Sequence, residues 1–331
     1  MELASKPAMR VLVLRLTSMG DVVLTLPAVN DMLENVPGIT VDWMVEKPFA
    51  PIVQMHPKIN LIHIAHWRKW RKALLKTETR SAIKTFRHKL QSVQYDVVID
   101  FQGQIAKSIL LGKMARGPLM GFAKQGLREP LAALFYRKKG AVSKSLHLVP
   151  RSRALAAQIF GYANPTSPAR YGITAGHASW LPSEPDKKYA VLIPHRSRPE
   201  APWPLENWIA ISHKLKALGL NVAVLWGSPA EEALSKELAT QVGGEVPPFL
   251  TVAHAAALLE KAQLVVGLDT GFTHLATALE RPTIALHCDF DPKLAGLVGS
   301  AFHVSMGGGG AYASLKSVEQ QIDLALASHS N

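Results

Sequence analysis

Gly267-Leu268-Asp269-Thr270-Gly271-Phe272-Thr273-His274 is the stretch on which the reading of this chain turns. Residues 262–266 before it form a short apolar run bounded by a turn signal, the spelling of a buried parallel strand. After it, Leu275, Ala276, Ala278 and Leu279 recur at helical spacing until Pro282 ends the pattern. Asp269 is thus predicted at the carboxyl end of a strand, Thr270 and Gly271 at the opening of a helix, and His274 one turn in, directed back toward the corner. Unpaired backbone N–H groups and the helix dipole make such a corner a seat for phosphate. Gly271 has no Cβ, so a diphosphate can come close to the backbone. An ordinary corner with Asp269 or Thr270 as N-cap is spelled the same way. The rest of the chain has to decide.

The chain has 331 residues, 48% apolar and 19% charged, which suggests two soluble globular domains, each with its own core. It contains no run of eighteen apolar residues and no signal-peptide core, so a chain that neither spans a membrane nor is exported is expected. Cys288 is the single cysteine. It excludes a disulfide framework and a cysteine-based metal site, and it fits a reducing cytoplasm. The net charge of +12 is unevenly placed: residues 1–160 hold 25 Lys+Arg against 10 Asp+Glu, residues 161–331 hold 12 against 15. A basic front half and a nearly neutral back half imply two partners, the first a large anion. Nucleic acid, an anionic membrane surface and a phosphorylated glycolipid all meet that description.

In chain order, residues 9–16 read as the first strand, followed by Thr17-Ser18-Met19-Gly20-Asp21 and a helix to about residue 33. Strand, glycine turn and helix in that order open a doubly wound sheet. Neither GxGxxG nor GxxxxGK[ST] is present. Asp21 has two readings. With Ser18 as N-cap it completes a capping box; alternatively the turn lifts it into an interdomain cleft as a general base. Strands are expected at 40–45, 61–64 and 95–100, a basic amphipathic helix at 78–93, and helices at 104–115, from Pro130, and at 146–160. His66-Trp67-Arg68-Lys69-Trp70-Arg71-Lys72 interleaves four cations with two tryptophans: either a solvated face, or the edge of an apolar–anionic ligand site on exposed Trp.

Residues 166–185 have the composition of a linker between a first domain, 1–165, and a second, 186–331. Strand–helix alternation then restarts, with strands at 189–193, 221–226 and 283–287 and helices at 205–218 and near 252–261. The last helix, 315–327, is a candidate to cross back onto the first domain. Two Rossmann-like halves facing a central cleft result. Asp289-Phe290-Asp291 has the letters of a metal-binding DxD, but Asp291-Pro292 reads as well as a helix start. No HExxH and no GxSxG occurs, which disfavours metal and acyl-transfer chemistry.

Ser18-Met19-Gly20-Asp21-Val22, Leu26-Pro27-Ala28, Asp100-Phe101-Gln102-Gly103, Trp226-Gly227-Ser228-Pro229-Ala230-Glu231-Glu232 and Asp269-Thr270-Gly271-Phe272-Thr273-His274-Leu275, in that order, resemble the ADP-heptose:lipopolysaccharide heptosyltransferases of glycosyltransferase family 9. Arg68 to Lys72, Arg128 to Leu131 and Trp203-Pro204 are similar to the subgroup that adds the first heptose to Kdo-lipid A. The resemblance spans nearly the whole chain. It implies the GT-B fold and an inverting, metal-independent transfer from ADP-L-glycero-D-manno-heptose to Kdo-lipid A in lipopolysaccharide inner-core synthesis.

Under that resemblance Asp21 is the catalytic base. Gly20, Glu231, Leu250, Asp269, Thr270, Gly271 and His274 attend the donor, with Glu231 at the ribose and Leu250 near the adenine. Where the family commonly has a Lys just ahead of the second domain's Trp-Pro, this chain has Ala201, so Arg196, Ser197 and Arg198 are the donor candidates there. Acceptor candidates are Arg68, Lys69, Arg71, Lys72, Gln102, Lys107 and Arg128. No cofactor or metal is implied beyond the donor substrate. The implied partners are donor, acceptor and, peripherally, the cytoplasmic face of the inner membrane. Nucleic acid is not among them; the sequence gives no oligomeric state, and a monomer is the expectation. Rivals are another core glycosyltransferase of the same family, a basic nucleic-acid-binding protein, and an NAD-linked oxidoreductase, the last disfavoured by the missing glycine fingerprint.

Overall fold

Hydrophobic runs bounded by turn residues become two fully parallel sheets in the computed structural model, which describes residues 9–183, 188–195, 203–289 and 291–328. The chain divides into two compact units, Met1–Ser167 and Pro168–Asn331. In the first, β1 (Arg10–Leu14), β2 (Thr40–Glu46), β3 (Ile59–Ala65), β4 (Val97–Asp100), β5 (Leu119–Phe122) and β6 (Lys138–Gly140) lie in the order β3-β2-β1-β4-β5-β6. In the second, β7 (Tyr189–Ile193), β8 (Asn221–Val224), β9 (Leu264–Leu268), β10 (Thr283–His287) and β11 (His303–Gly307) lie in the order β11-β10-β9-β7-β8. Val11 to Leu14 on β1 and Leu264 to Val266 on β9 have no solvent exposure, as central strands covered on both faces should.

Each sheet reverses its winding once, between β1 and β4 in the first unit and between β7 and β9 in the second. Loops leaving the carboxyl ends of strands at such a point diverge to opposite faces and leave a crevice. The segment carrying Asp21 leaves β1, and the Asp269–His274 corner leaves β9. Both therefore stand at switch points, each within its own unit.

Several elements differ from the sequence-based expectation. The helix expected through residue 33 is split into Met19–Val23 and Leu26–Asn35, because Pro27 lacks the N–H that would continue the first segment. The helix expected at 104–115 is a π turn, Ile105–Ile109, running into a single turn, Leu110–Gly112. Residues 168–183, expected as linker, carry no regular element yet bury Ala169, Tyr171 and Ile173. Tyr171 Oη donates to Val298 O at 2.5 Å, and Ala175 N donates to Glu260 Oε1 at 2.7 Å, which fastens this stretch to the second unit. The last helix, Leu315–Ala327, buries Val318, Ile322 and Ala325 in the second unit's own core. Asp291 caps Pro292–Ala295 by accepting from Lys293 N at 2.9 Å, the helix-start reading of its motif. Among the described residues no helix is long and apolar enough to cross a membrane.

Candidate active-site clusters

In the first unit the capping-box reading of Asp21 and its accessibility coexist. Ser18 N and Ser18 Oγ donate to Asp21 Oδ2 at 2.8 and 3.0 Å. Arg15 meets Oδ1 at 2.9 Å, with the arginine side chain 6% and the aspartate side chain 36% exposed. Burial works against the charge of this carboxylate. The Arg15 guanidinium, the Ser18 hydrogen bonds and Arg128 outweigh it and hold Asp21 below the usual carboxylate range. Arg15 is in turn fixed by donating to Phe101 O at 2.5 Å. A carboxylate so held is ionised at neutral pH, fixed in orientation and still reachable by solvent.

Cations gather around it from distant parts of the chain. Lys107 Nζ donates to Thr17 Oγ1, and burial lowers its pKa, with Glu46, Arg68, Arg15 and Asp21 all within electrostatic reach. Arg151 lies 4.5 Å over the Phe122 ring and donates to Gly126 O at 2.5 Å. Burial, then Arg15 and Arg128, bring its pKa down to about 10. Arg68 stacks over Phe49 at 5.5 Å, and its backbone N–H donates to Glu46 Oε1 at 3.1 Å. Of the acceptor candidates, Arg68, Lys107 and Arg128 thus belong to the surroundings of Asp21. Lys69, Arg71 and Lys72 are exposed on and just after the short helix Trp67–Trp70, with Leu74 and Leu75 exposed in the turn beyond.

Two residues of this unit have structural partners that the sequence did not show. Trp70 is 4% exposed and packs edge-on against Phe86 at 5.2 Å, so most of its ring anchors the basic segment, while one edge lines a cavity beside His66 and Phe86. Gln102 Oε1 accepts from Leu16 N at 3.1 Å and Thr17 N at 3.2 Å, so this amide ties the β4 turn to the segment that carries Asp21. Behind it, buried Asp100 accepts from Gln102 N, Gly103 N, Ser108 Oγ and Tyr136 Oη. Arg15, Glu46 and Arg151 were not singled out from sequence, and Asp100 only as the first residue of the Asp100-Phe101-Gln102-Gly103 motif. Arg151 follows Asp21 by well over a hundred residues, and no local pattern joins them.

In the second unit Thr270 occupies the N-cap position of Gly271–Ala278, but no side chain caps that helix. The first-turn N–H groups therefore have no capping side chain as acceptor. Asp269 turns instead to two histidines: Oδ1 meets His274 Nε2 at 3.1 Å, and Oδ2 lies 3.6 Å from His287 Nδ1. Burial opposes its charge, yet the two histidines pull Asp269 far below the usual carboxylate range. His274 Nδ1 is buried, with no hydrogen-bond partner among the described residues. A donor or acceptor is therefore left over on the ring that faces this corner.

The Glu231 turn comes to the same corner. Glu231 Oε2 accepts from Gly227 N at 2.8 Å, and a Cβ on Gly227 would lie 3.6 Å from the Phe272 ring. His195, just past β7, meets Ser235 Oγ at 2.7 Å; burial depresses its pKa while Glu231 raises it. Leu250 is 5% exposed, whereas its neighbour Phe249 is 62% exposed and edge-on to Trp226 at 5.6 Å. Phe249 and His195 were missed in the sequence. Arg196, Ser197, Arg198 and Ala201 lie outside the described residues. Among the described residues no three His, Cys, Asp or Glu side chains form a metal-holding group.

Two parallel-sheet α/β units with their candidate residues at the switch points have the architecture of the GT-B class of glycosyltransferase. The solved structure of E. coli heptosyltransferase WaaC with ADP superposes with a TM-score of 0.86 at 35% identity, covering 96% of this chain and 100% of that one. The same enzyme with ADP-2-deoxy-2-fluoro heptose gives 0.84 over 96% and 99%. Lipopolysaccharide heptosyltransferase 1 of Escherichia coli (strain K12) is 38% identical over 289 residues, 87% of this chain and 90% of that protein. The family model for glycosyltransferase family 9 (heptosyltransferase) matches residues 83–321. The chain belongs to glycosyltransferase family 9.

Proposed function

We propose that this protein transfers heptose from ADP-L-glycero-D-manno-heptose to Kdo-lipid A, with inversion, in lipopolysaccharide inner-core synthesis. The observation that carries the reading is the Asp21 carboxylate: ionised, oriented by Ser18 and Arg15, 36% exposed and ringed by cations. The acceptor hydroxyl oxygen bonds to the anomeric carbon while Asp21 takes its proton. The bond from that carbon to the diphosphate oxygen breaks, and ADP leaves with the electron pair. The uncapped Gly271–Ala278 terminus and His274 stabilise the charge growing on the leaving diphosphate, a task that needs no metal. Glu231 and the apolar Leu250 and Phe249 attend the nucleoside, and the Asp21-side cations attend the acceptor's carboxylates and phosphates.

The reading is supported by the likeness to the E. coli enzymes, one of them solved with ADP and with an ADP-heptose analogue. The acceptor is a lipid, so the protein works peripherally at the cytoplasmic face of the inner membrane, front unit foremost. The test is transfer from ADP-heptose to Kdo-lipid A, run beside UDP-sugars as donors and an already heptosylated core as acceptor. Product from the first pair alone, undiminished by EDTA, is the expected result. Preference for the heptosylated acceptor, or loss of turnover in EDTA, would contradict it.

A further inference from the structure

We infer that the short helix Pro130–Phe135 is where the first unit docks on an anionic phospholipid surface; the inference rests on the lipid-acceptor reading and names the contact that reading needs. The helix is of the 3₁₀ type, so side chains three apart share a face. Leu131 and Leu134 are three apart and 66% and 76% exposed, with Phe135 beside them at 40%. Lys113 sits 5.0 Å over the Phe135 ring. Leu110, 48% exposed, is three residues before Lys113 on the helical segment that ends there, so the apolar surface continues across it. The inner face of the same helix buries Ala132 and Ala133. This is an ordered element with its large side chains turned outward, the reverse of what a water-facing turn requires.

Charge selects the occupant. Residues 101–150 hold nine Lys or Arg and one acid, Glu129. That acid is engaged, accepting from Ile105 N through Oε2 at 2.8 Å. Arg128, Arg137 and Lys139 are exposed beside the helix. Splayed leucines inside a rim of cations suit a fluid interface that takes up apolar side chains and carries negative headgroups. Arg128 belongs to both places: it precedes the helix and also acts on Asp21. A membrane-held acceptor would thus have its headgroup beside Asp21 when the leucines enter the bilayer.

The full chain is sedimented with vesicles of phosphatidylglycerol and phosphatidylethanolamine, and with phosphatidylcholine vesicles, as wild type and as the double variant L131D/L134D. ADP affinity serves as the check of folding. The wild type is expected on the anionic vesicles, released by high salt, and the variant's partition is expected to fall by about tenfold or more. Transfer to a deacylated, water-soluble acceptor should be equal in both proteins. Equal vesicle binding by both proteins, binding by neither, or a wild-type dimer that the variant splits without a vesicle effect would overturn the proposal. Absence of transfer by the wild type would instead count against the functional reading and leave the vesicle result standing.

Discussion

Asp21 receives two hydrogen bonds from Ser18 and an ion pair from Arg15, and these place its folded pKa below the ordinary ~3.9. Its base form therefore predominates at every pH above that value, and the sign is definite: only acid removes it. The pH profile of kcat/KM should show no limb from Asp21 between about pH 5 and 8. A limb near neutrality that moved in Arg15→Met would contradict this. The corner of the second unit has a steric demand of its own. A Cβ on Gly267 would stand 2.6 Å from Thr273 Oγ1 and 2.9 Å from Ile193 Cβ, both in packed surroundings. Gly267→Ala should destabilise the protein by about 1–3 kcal/mol in urea unfolding and raise the Kd for ADP with it. A stability change within about 0.5 kcal/mol would mean the corner yields more easily than its packing suggests.

At the scale of elements, what could be read from the sequence was what repeats locally. Residues 189–193, 315–327 and the strand-to-helix corner at 269–271 carry unbroken apolar or helical patterns, and their elements lie where those patterns put them. The expectation had no place for β5, β6 and β11. β6 is the three residues Lys138–Gly140 at a sheet edge, two of them exposed lysines, and β11 is half-buried at the opposite edge of the other sheet. Edge strands need neither apolar run nor alternation, so pattern reading passes over β6 and β11, whereas β5, interior between β4 and β6, is only four residues long with Gly121 inside it. The cation ring failed to show for a different reason: Arg15, Lys107, Arg128 and Arg151 come together because β1 and β4 are neighbours and the helix Leu148–Phe160 packs on β5, β6 and the helix Leu26–Asn35. That helix is pinned to Leu26–Asn35 by Arg153, whose Nε and Nη2 donate to Asp31 Oδ2 and Oδ1 at 2.6 and 3.0 Å, both side chains 8% exposed. Asp31→Ala leaves the buried guanidinium without its counter-ion, held only by Ser167 O and Oγ, and should cost about 3–5 kcal/mol in denaturant unfolding. A cost under about 1 kcal/mol would show that the pair does not hold the helices together.

Across the whole molecule, stability is tied to pH through histidines that burial keeps neutral. His56, His63 and His195 lie below their ordinary value, and His303 is brought down to about 4. The unfolded chain binds protons at these sites from about pH 6.5 downward while the folded chain resists them, so stability is complete above that pH and drains away as pH falls toward 4. Urea midpoints should fall steadily from about pH 7 to 5; a level response would contradict the burial. The larger division we propose is of charge and labour, a cationic front unit with the base and a back unit with the anion seat. The most direct test of it is Asp21→Asn, with turnover and calorimetric ADP binding measured on the same preparation. Turnover should fall by about two to four orders of magnitude with the Kd for ADP within about twofold of wild type. Undiminished turnover, or an ADP affinity that collapses together with it, would contradict the account.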